Sequence, residues 1–308
     1  MINPVLRREA ITSLRGWKNY AVLTFYLLMM TLGAGIFFYT SVFQSYRFGF
    51  DPQSVVYLYV VLAAIQMALV VLSVPALTAG SISGERERQT LDLLLVTKLS
   101  PFSIVIGKLL SSMAFVLLLI VSTLPVFSIV FYFGSVGIGN LLTMICFTLT
   151  TAFMLGGISI FFSCIYKRTV VSIMLVYIIT GALCFGTLLL VLLPMMVRGF
   201  HEPSDAATLI KLLPNPGVGF FSLIDNQIGS NILQSAFFNY TQGAKSPFVL
   251  WASGNLWILH MVFQVVVGSI FVVLAASLIN PVREHKQKGK TDATQKAKKE
   301  KKNKKSEE

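Results

Sequence analysis

Ser83-Gly-Glu-Arg-Glu-Arg-Gln-Thr-Leu-Asp-Leu-Leu-Leu-Val-Thr-Lys98 is a charged, amphipathic stretch lodged between two long apolar runs. Glu85, Arg86, Glu87, Arg88 and Asp92 fall within eight residues, whereas the windows 52–84 and 109–166 on either side carry no charge. Polarity gathered in this way marks a loop outside the hydrocarbon, and the uncharged runs beside it mark segments inside. The loop reads as a docking place for something soluble.

Outward from this loop the same pattern repeats. Charge-free windows at 19–46, 52–84, 109–166, 169–197 and 246–282 are each long enough for a helix of about 20 residues to cross a bilayer. The third is long enough for two crossings and breaks at Gly134-Ser-Val-Gly137-Ile-Gly139-Asn140, where three glycines and an asparagine favour a turn. The sequence therefore predicts an all-α integral membrane protein with six transmembrane helices near 20–40, 55–79, 104–133, 140–165, 170–196 and 252–280. The composition of the 308 residues agrees: 55% hydrophobic, 12% charged and a mean hydropathy of +0.74, too apolar for a soluble domain.

An even number of crossings puts both termini on one side. If that side is cytoplasmic, the inside segments carry 21 Lys and Arg, and the outside segments only Arg47, Arg198, Lys211 and Lys245. Four basic residues precede a first span longer than a signal core, so it is expected to be retained. The net charge of +12 is local, since the tail from Arg283 carries eleven basic and five acidic residues. That tail, 281–308, is expected to be disordered and held near anionic lipid, not nucleic acid. Cys146, Cys164 and Cys184 fall in predicted spans without metal-ligand spacing and read as packing residues.

Three stretches outside the spans carry local patterns. Around Asn3-Pro-Val-Leu-Arg-Arg-Glu9, Val5, Leu6, Ile11 and Leu14 alternate with Arg7, Arg8, Arg15 and Lys18, which fits an interfacial helix or a plain positive flank. In the loop, Ser83 is expected to cap a helix with Glu85 and Glu87 in its first turn and an Arg88–Asp92 pair at i, i+4. Leu91, Leu94 and Leu95 then share one face, and Ser100-Pro101 ends the helix. The outer region 198–250 includes the apolar stretch 212–224, which two prolines and two glycines keep from being one spanning helix; a re-entrant or surface-lying hairpin sheltered by other helices is expected.

Chemistry is sparse. The spans are expected to hold no charged relay, and His260, Gln66 and Gln264 read first as interhelical hydrogen bonders. His201-Glu202-Pro203 does not continue into a zinc-protease spacing, and Gly80-Ser-Ile-Ser-Gly84 lacks a nucleophile elbow. Gly289-Lys290-Thr291 echoes a phosphate loop, but Glu284 stands where its leading glycine belongs, so the chain is expected to bind no ATP itself.

The run Ile82-Ser-Gly-Glu-Arg-Glu-Arg-Gln-Thr-Leu-Asp-Leu-Leu-Leu-Val-Thr-Lys-Leu-Ser-Pro101, followed by Ile104-Val-Ile-Gly-Lys108, resembles the cytoplasmic loop of ABC-2 family permeases. Gln89 stands where glycine is common in that family, and Asp92 where glutamate is common. The resemblance covers residues 1–280 and implies a permease subunit of an ATP-driven exporter in a prokaryotic cytoplasmic membrane. It implies that the loop is a coupling helix on a separate ATP-binding subunit, which would carry ATP and Mg. Glu85, Arg86, Glu87, Thr90, Arg88 and Asp92 would be its polar contacts and Leu91, Leu94 and Leu95 its packed ridge. Arg7, Arg8 and Glu9 would belong to an elbow helix, and a second permease copy or paralogue would complete the assembly. Pro75 and Pro125 are candidate kinks. The other readings are a secondary transporter or channel, which calls for intramembrane charges or paired broken helices, and a non-transporting anchor or immunity-type protein, which needs no coupling helix.

Overall fold

The computed structural model describes residues 16–40, 52–91, 100–132, 136–197, 205–230, 232, 233, 235 and 247–279. Regular structure among them is entirely helical. The spans are α1 (Trp17–Phe38), α2 (Pro52–Thr78), a pair α4 (Pro101–Ser122) and α5 (Leu124–Tyr132), α6 (Ile138–Ile165), a pair α7 (Thr169–Gly181) and α8 (Thr187–Val197), and α12 (Leu256–Leu278). Between α2 and α4 lies a one-turn helix, α3 (Ser83–Glu87); α9 (Asp205–Leu212), α10 (Pro216–Ile228) and α11 (Pro247–Gly254) fall between α8 and α12. Six segments are long and apolar enough to cross a membrane, as the charge-free windows require. Arg7, Arg8, Glu9, Asp92, Leu94, Leu95 and the basic tail lie outside the described residues.

The third span departs from a single rod. It breaks at Thr123, where Pro125 supplies no N–H for the Val121 carbonyl and its ring crowds that carbonyl. The Thr123 hydroxyl meets Gln66 Oε1 of α2 at 3.1 Å, so Gln66 does join two helices. Pro75, by contrast, lies inside an unbroken α2. The fifth span is interrupted by a π turn, Ala182–Gly186, which no local sequence pattern announces. Its Cys184 carbonyl is taken up by Asn215 Nδ2 at 2.7 Å.

α6 is the central strut, packed by α2, α4, α7 and α12. Lipid tails give no hydrophobic drive between helices, so close approach depends on small residues. A Cβ on Gly157 would stand 2.7 Å from the Gly268 carbonyl oxygen, so the backbones of α6 and α12 are in contact there. α9 and α10 meet at a 113° bend at 213–215, so most of the stretch expected to form a hairpin, 212–224, is instead one helix, α10. Asn215 caps α10, accepting from the N–H groups of Gly217 (2.8 Å) and Val218 (3.2 Å), with Pro216 in the first turn. Val218, Gly219, Phe220, Leu223 and Ile224 of α10 are buried.

Candidate functional site

The charged loop folds back onto the bundle. α3 continues from α2 through a turn at 79–82, and its leading N–H groups are not capped by Ser83, contrary to the sequence expectation. Ser163 of α6 supplies the cap: its hydroxyl accepts from the N–H groups of Ile82 (3.0 Å) and Ser83 (2.9 Å). Ser83 itself is buried and donates its hydroxyl to the Ala79 carbonyl. A Cβ on Gly80 would meet Thr169 Cγ2 at 2.9 Å, so glycine lets the turn lie against the start of α7.

Each of the next three charges grips a different span. Glu85 pairs with Lys108 of α4 at 3.4 Å and accepts a hydrogen bond from Thr90. Arg86 donates from Nη1 to the Cys164 carbonyl, at the C-terminal end of α6, at 2.7 Å. Glu87 accepts from the N–H (3.0 Å) and hydroxyl (2.7 Å) of Thr169, the first residue of α7. A cation at a helix C-terminus and an anion at an N-terminus both match the helix dipole and satisfy groups that helix ends leave open. Burial works to raise the pKa of Glu85, yet the Thr90 hydroxyl and the Lys108 ammonium outweigh it and hold it below its ordinary value. The hydroxyl and N–H of Thr169 lower that of Glu87.

Lys108 corrects the expectation of spans without charge: it is 4% exposed, within the first turns of α4. α4 begins at Pro101 with Ser100 as its cap, so Ser-Pro is a start signal as well as a stop. The expected unbroken loop helix is also corrected. Gln89 takes φ 57°, in the left-handed region, and α3 ends there. That backbone favours glycine, which has no Cβ to resist it. Beyond it Leu91 turns inward onto Ile82, Val105, Leu109 and Ile160. Glu87 and Arg88 are exposed, and Thr90 is half-buried. The expected Arg88–Asp92 pair falls partly outside the described residues.

At the far end of α2 a second polar group closes the bundle. The Tyr59 hydroxyl reaches Gln227 Oε1 of α10 at 2.8 Å, and Gln227 Nε2 donates to the Asn140 carbonyl (2.9 Å) and Thr143 hydroxyl (2.8 Å) of α6. Tyr59, Asn140 and Gln227, with Val56, Tyr57, Val136 and Ile228, line a cleft of about 280 Å³. Asp225, buried on α10, accepts from the N–H groups of Ile232 (2.9 Å) and Leu233 (3.0 Å).

Between the two ends, the buried seam of α12 carries Leu256, His260, Gln264, Gly268 and Val272 at every fourth position. Gln264 Oε1 accepts from Thr150 (2.8 Å) and Thr151 (3.2 Å) of α6. His260 does not bond between helices as expected: it is fully buried, and neither ring nitrogen has a partner among the described residues. The α10 backbone at Gly219 lies against its ring, where a Cβ would fall 2.5 Å from the imidazole Cγ. Trp257 Nε1 and Gln264 Nε2 are also unpaired among those residues. Each such buried group costs about 1–3 kcal/mol.

Ser163, Asn215, Asp225 and Gln227 escaped the sequence reading. Asn215-Pro216 carried a usable signal, the cap and first-turn pair of a helix start; Ser163 and Gln227 act on partners remote in sequence and carried none, and Asp225 bonds to N–H groups seven and eight positions on, past the end of α10. A family model described as ABC-2 family transporter protein matches residues 4–214, more than half of the chain. The chain belongs to the ABC-2 transporter family. This ABC-2 protein is thus a multi-pass membrane permease of ABC-type transporters, a class that works with an ATP-binding subunit. No curated protein matches it. The family match ends at Pro214, in the bend before α10, so α10 and α12 lie beyond it.

Proposed function

We propose that this permease is the non-catalytic membrane subunit of an ATP-driven exporter in a prokaryotic cytoplasmic membrane, with both termini and the charged loop cytoplasmic. ATP and Mg sit on a separate ATP-binding subunit, and a second permease copy or a paralogue completes the assembly. The observation that supports this reading is the loop's attachment: Glu85, Arg86 and Glu87 tie one short segment to α4, α6 and α7. A force applied to that segment reaches three spans at once. Glu87 and Arg88 offer the outward charges, Thr90 adds a polar edge, and Leu91 backs the segment from within. Asp92, Leu94, Leu95 and the elbow residues Arg7, Arg8 and Glu9 are assigned to the same contact by the family resemblance alone. The excess of basic residues on the loop side supports the orientation.

The test is a pull-down of the tagged chain from native membranes, with magnesium-ATP hydrolysis measured on the eluate. A soluble ATPase with vanadate-sensitive turnover is expected, and Arg88→Glu should weaken its recovery. Arg88 suits this test because it is exposed, whereas reversal at Glu85 also breaks the bridge to Lys108. A chain that carries no ATPase in any mild detergent would remove the coupling role.

A further inference from the structure

We propose that Trp257, His260 and Gln264 form a cargo-binding site that takes the uncharged, acceptor-rich polar part of an amphiphile, and that α10 covers it in the conformation described. The inference rests on the permease reading and adds to it the place and chemistry of recognition. At 100° per residue the three positions fall within about 60° of one another on α12. That arc faces the protein interior, while Val262, Val265, Val266, Ile270 and Val273 on the other faces are exposed.

The seam is polar where packing alone asks for nothing polar. Its unpaired atoms are the indole N–H of Trp257, the amide NH2 of Gln264 and both imidazole nitrogens of His260, one of which is a donor. Donors therefore outnumber acceptors. A partner that satisfies them presents oxygen acceptors, such as ester or amide carbonyls. Of the charged groups described in the bundle, Lys108 is paired with Glu85 at the loop end and Asp225 is bonded to backbone N–H groups. No charged group among the described residues is bonded to these unpaired atoms, so an ionised group would enter the seam at a heavy desolvation cost. A long apolar part is accommodated by the surrounding aliphatic helices.

The cover is also visible. Gly219 of α10 presses its backbone on the imidazole, and α10 is separated from α9 by the 113° bend. Withdrawing α10 from α12 would expose His260 and Gln264 and relieve their unpaired state. Closing it again would expel the cargo's polar part.

Thiol accessibility in native membranes tests this. In a chain with Cys146, Cys164 and Cys184 replaced by serine, His260→Cys, Gln264→Cys and, as a control in the far cleft, Tyr57→Cys are treated with a water-soluble cationic methanethiosulfonate. Modification is followed with and without Mg-ATP plus vanadate. Positions 260 and 264 are expected to react at least tenfold faster in one nucleotide state, and dioctanoylglycerol, a neutral diester, should slow them. Nucleotide-dependent labelling at 57 with none at 260 or 264 in any state overturns the site and leaves the permease reading standing. Labelling at 260 and 264 that dioctanoylglycerol does not slow overturns the ligand class. No nucleotide dependence at all three positions removes the ATP-driven reading, and the site with it. Gln264→Cys keeps the test decisive if His260→Cys does not fold.

Discussion

Ser163→Ala should loosen the charged loop while leaving the bundle intact. The Ser163 hydroxyl is the acceptor for the N–H groups of Ile82 and Ser83, and all three residues are fully buried. Alanine leaves two donors with nothing to bond. One buried orphan costs about 1–3 kcal/mol, and loss of a helix cap about 0.5–2 kcal/mol. The loop lies at the end of the bundle, where local relaxation recovers part of the loss, so about 2 kcal/mol is expected. At about 1.4 kcal/mol per factor of ten, local opening becomes roughly 30-fold more frequent. Hydrogen exchange with mass spectrometry on the detergent-solubilised protein reads this directly, as faster exchange over 80–88 with α4 and the middle of α6 unchanged. Protection at 80–88 that stays within about threefold of wild type would refute the cap, because two freed donors at 0% exposure cannot be silent. A uniform loss across the protein would show instead that Ser163 supports the whole bundle.

Three further outcomes are expected. The lowered pKa values of Glu85 and Glu87 mean that their contribution is fully present above the ordinary value of 4.5 and is lost as pH falls through the lower folded values. A nitroxide at Arg88→Cys, in a background without native cysteines, should keep constant mobility from neutral pH down to about 5 and then loosen as pH drops below 4.5, with Glu87→Gln mobile throughout. Gly157→Val should force α6 and α12 apart, since even a Cβ would sit 2.7 Å from a backbone oxygen; a loss of about 2–3 kcal/mol in thermal or denaturant stability is expected, with Gly157→Ala milder. Gln89→Gly should stabilise the loop by about 1 kcal/mol by removing the left-handed penalty at φ 57°, measured by the same exchange experiment.

The spans were legible because membrane crossing is a property of local composition: a run without charge is visible whatever it packs against. Their starts were read a few residues late where a cap decides them, as at Ser100-Pro101, which opens α4. The break beside Pro125 followed from a residue that cannot donate, whereas the π turn at 182–186 has its Cys184 carbonyl bonded by the Asn215 amide, which donates from some thirty positions away. The charged loop is conspicuous in the sequence, but most of its pairings do not lie among sequence neighbours. Arg86 and Glu87 find their partners 78 and 82 positions away, at helix ends whose open groups no linear pattern displays. Leu91 was expected on an outward ridge with Leu94 and Leu95, yet it lies at 7% exposure among inward residues, because the left-handed turn at Gln89 resets the face that follows.

α6 is held at both ends and in the middle. Ser163 and Cys164 bind the loop, Thr150, Thr151 and Gly157 bind α12, and Asn140 and Thr143 bind the far cleft. Its 28 residues make a rod of about 42 Å. Such a rod is a lever. A tilt of about 5° about its midpoint displaces each end by roughly 2 Å, in opposite directions. That throw is enough to break the 2.8 Å bond between Gln227 and Thr143 at one end and to strain the 2.9 Å bond between Ser83 and Ser163 at the other. The molecule therefore needs no relay of small rearrangements along its length: a rigid strut with short bonds at its tips turns a slight rotation on one side into a gap on the other.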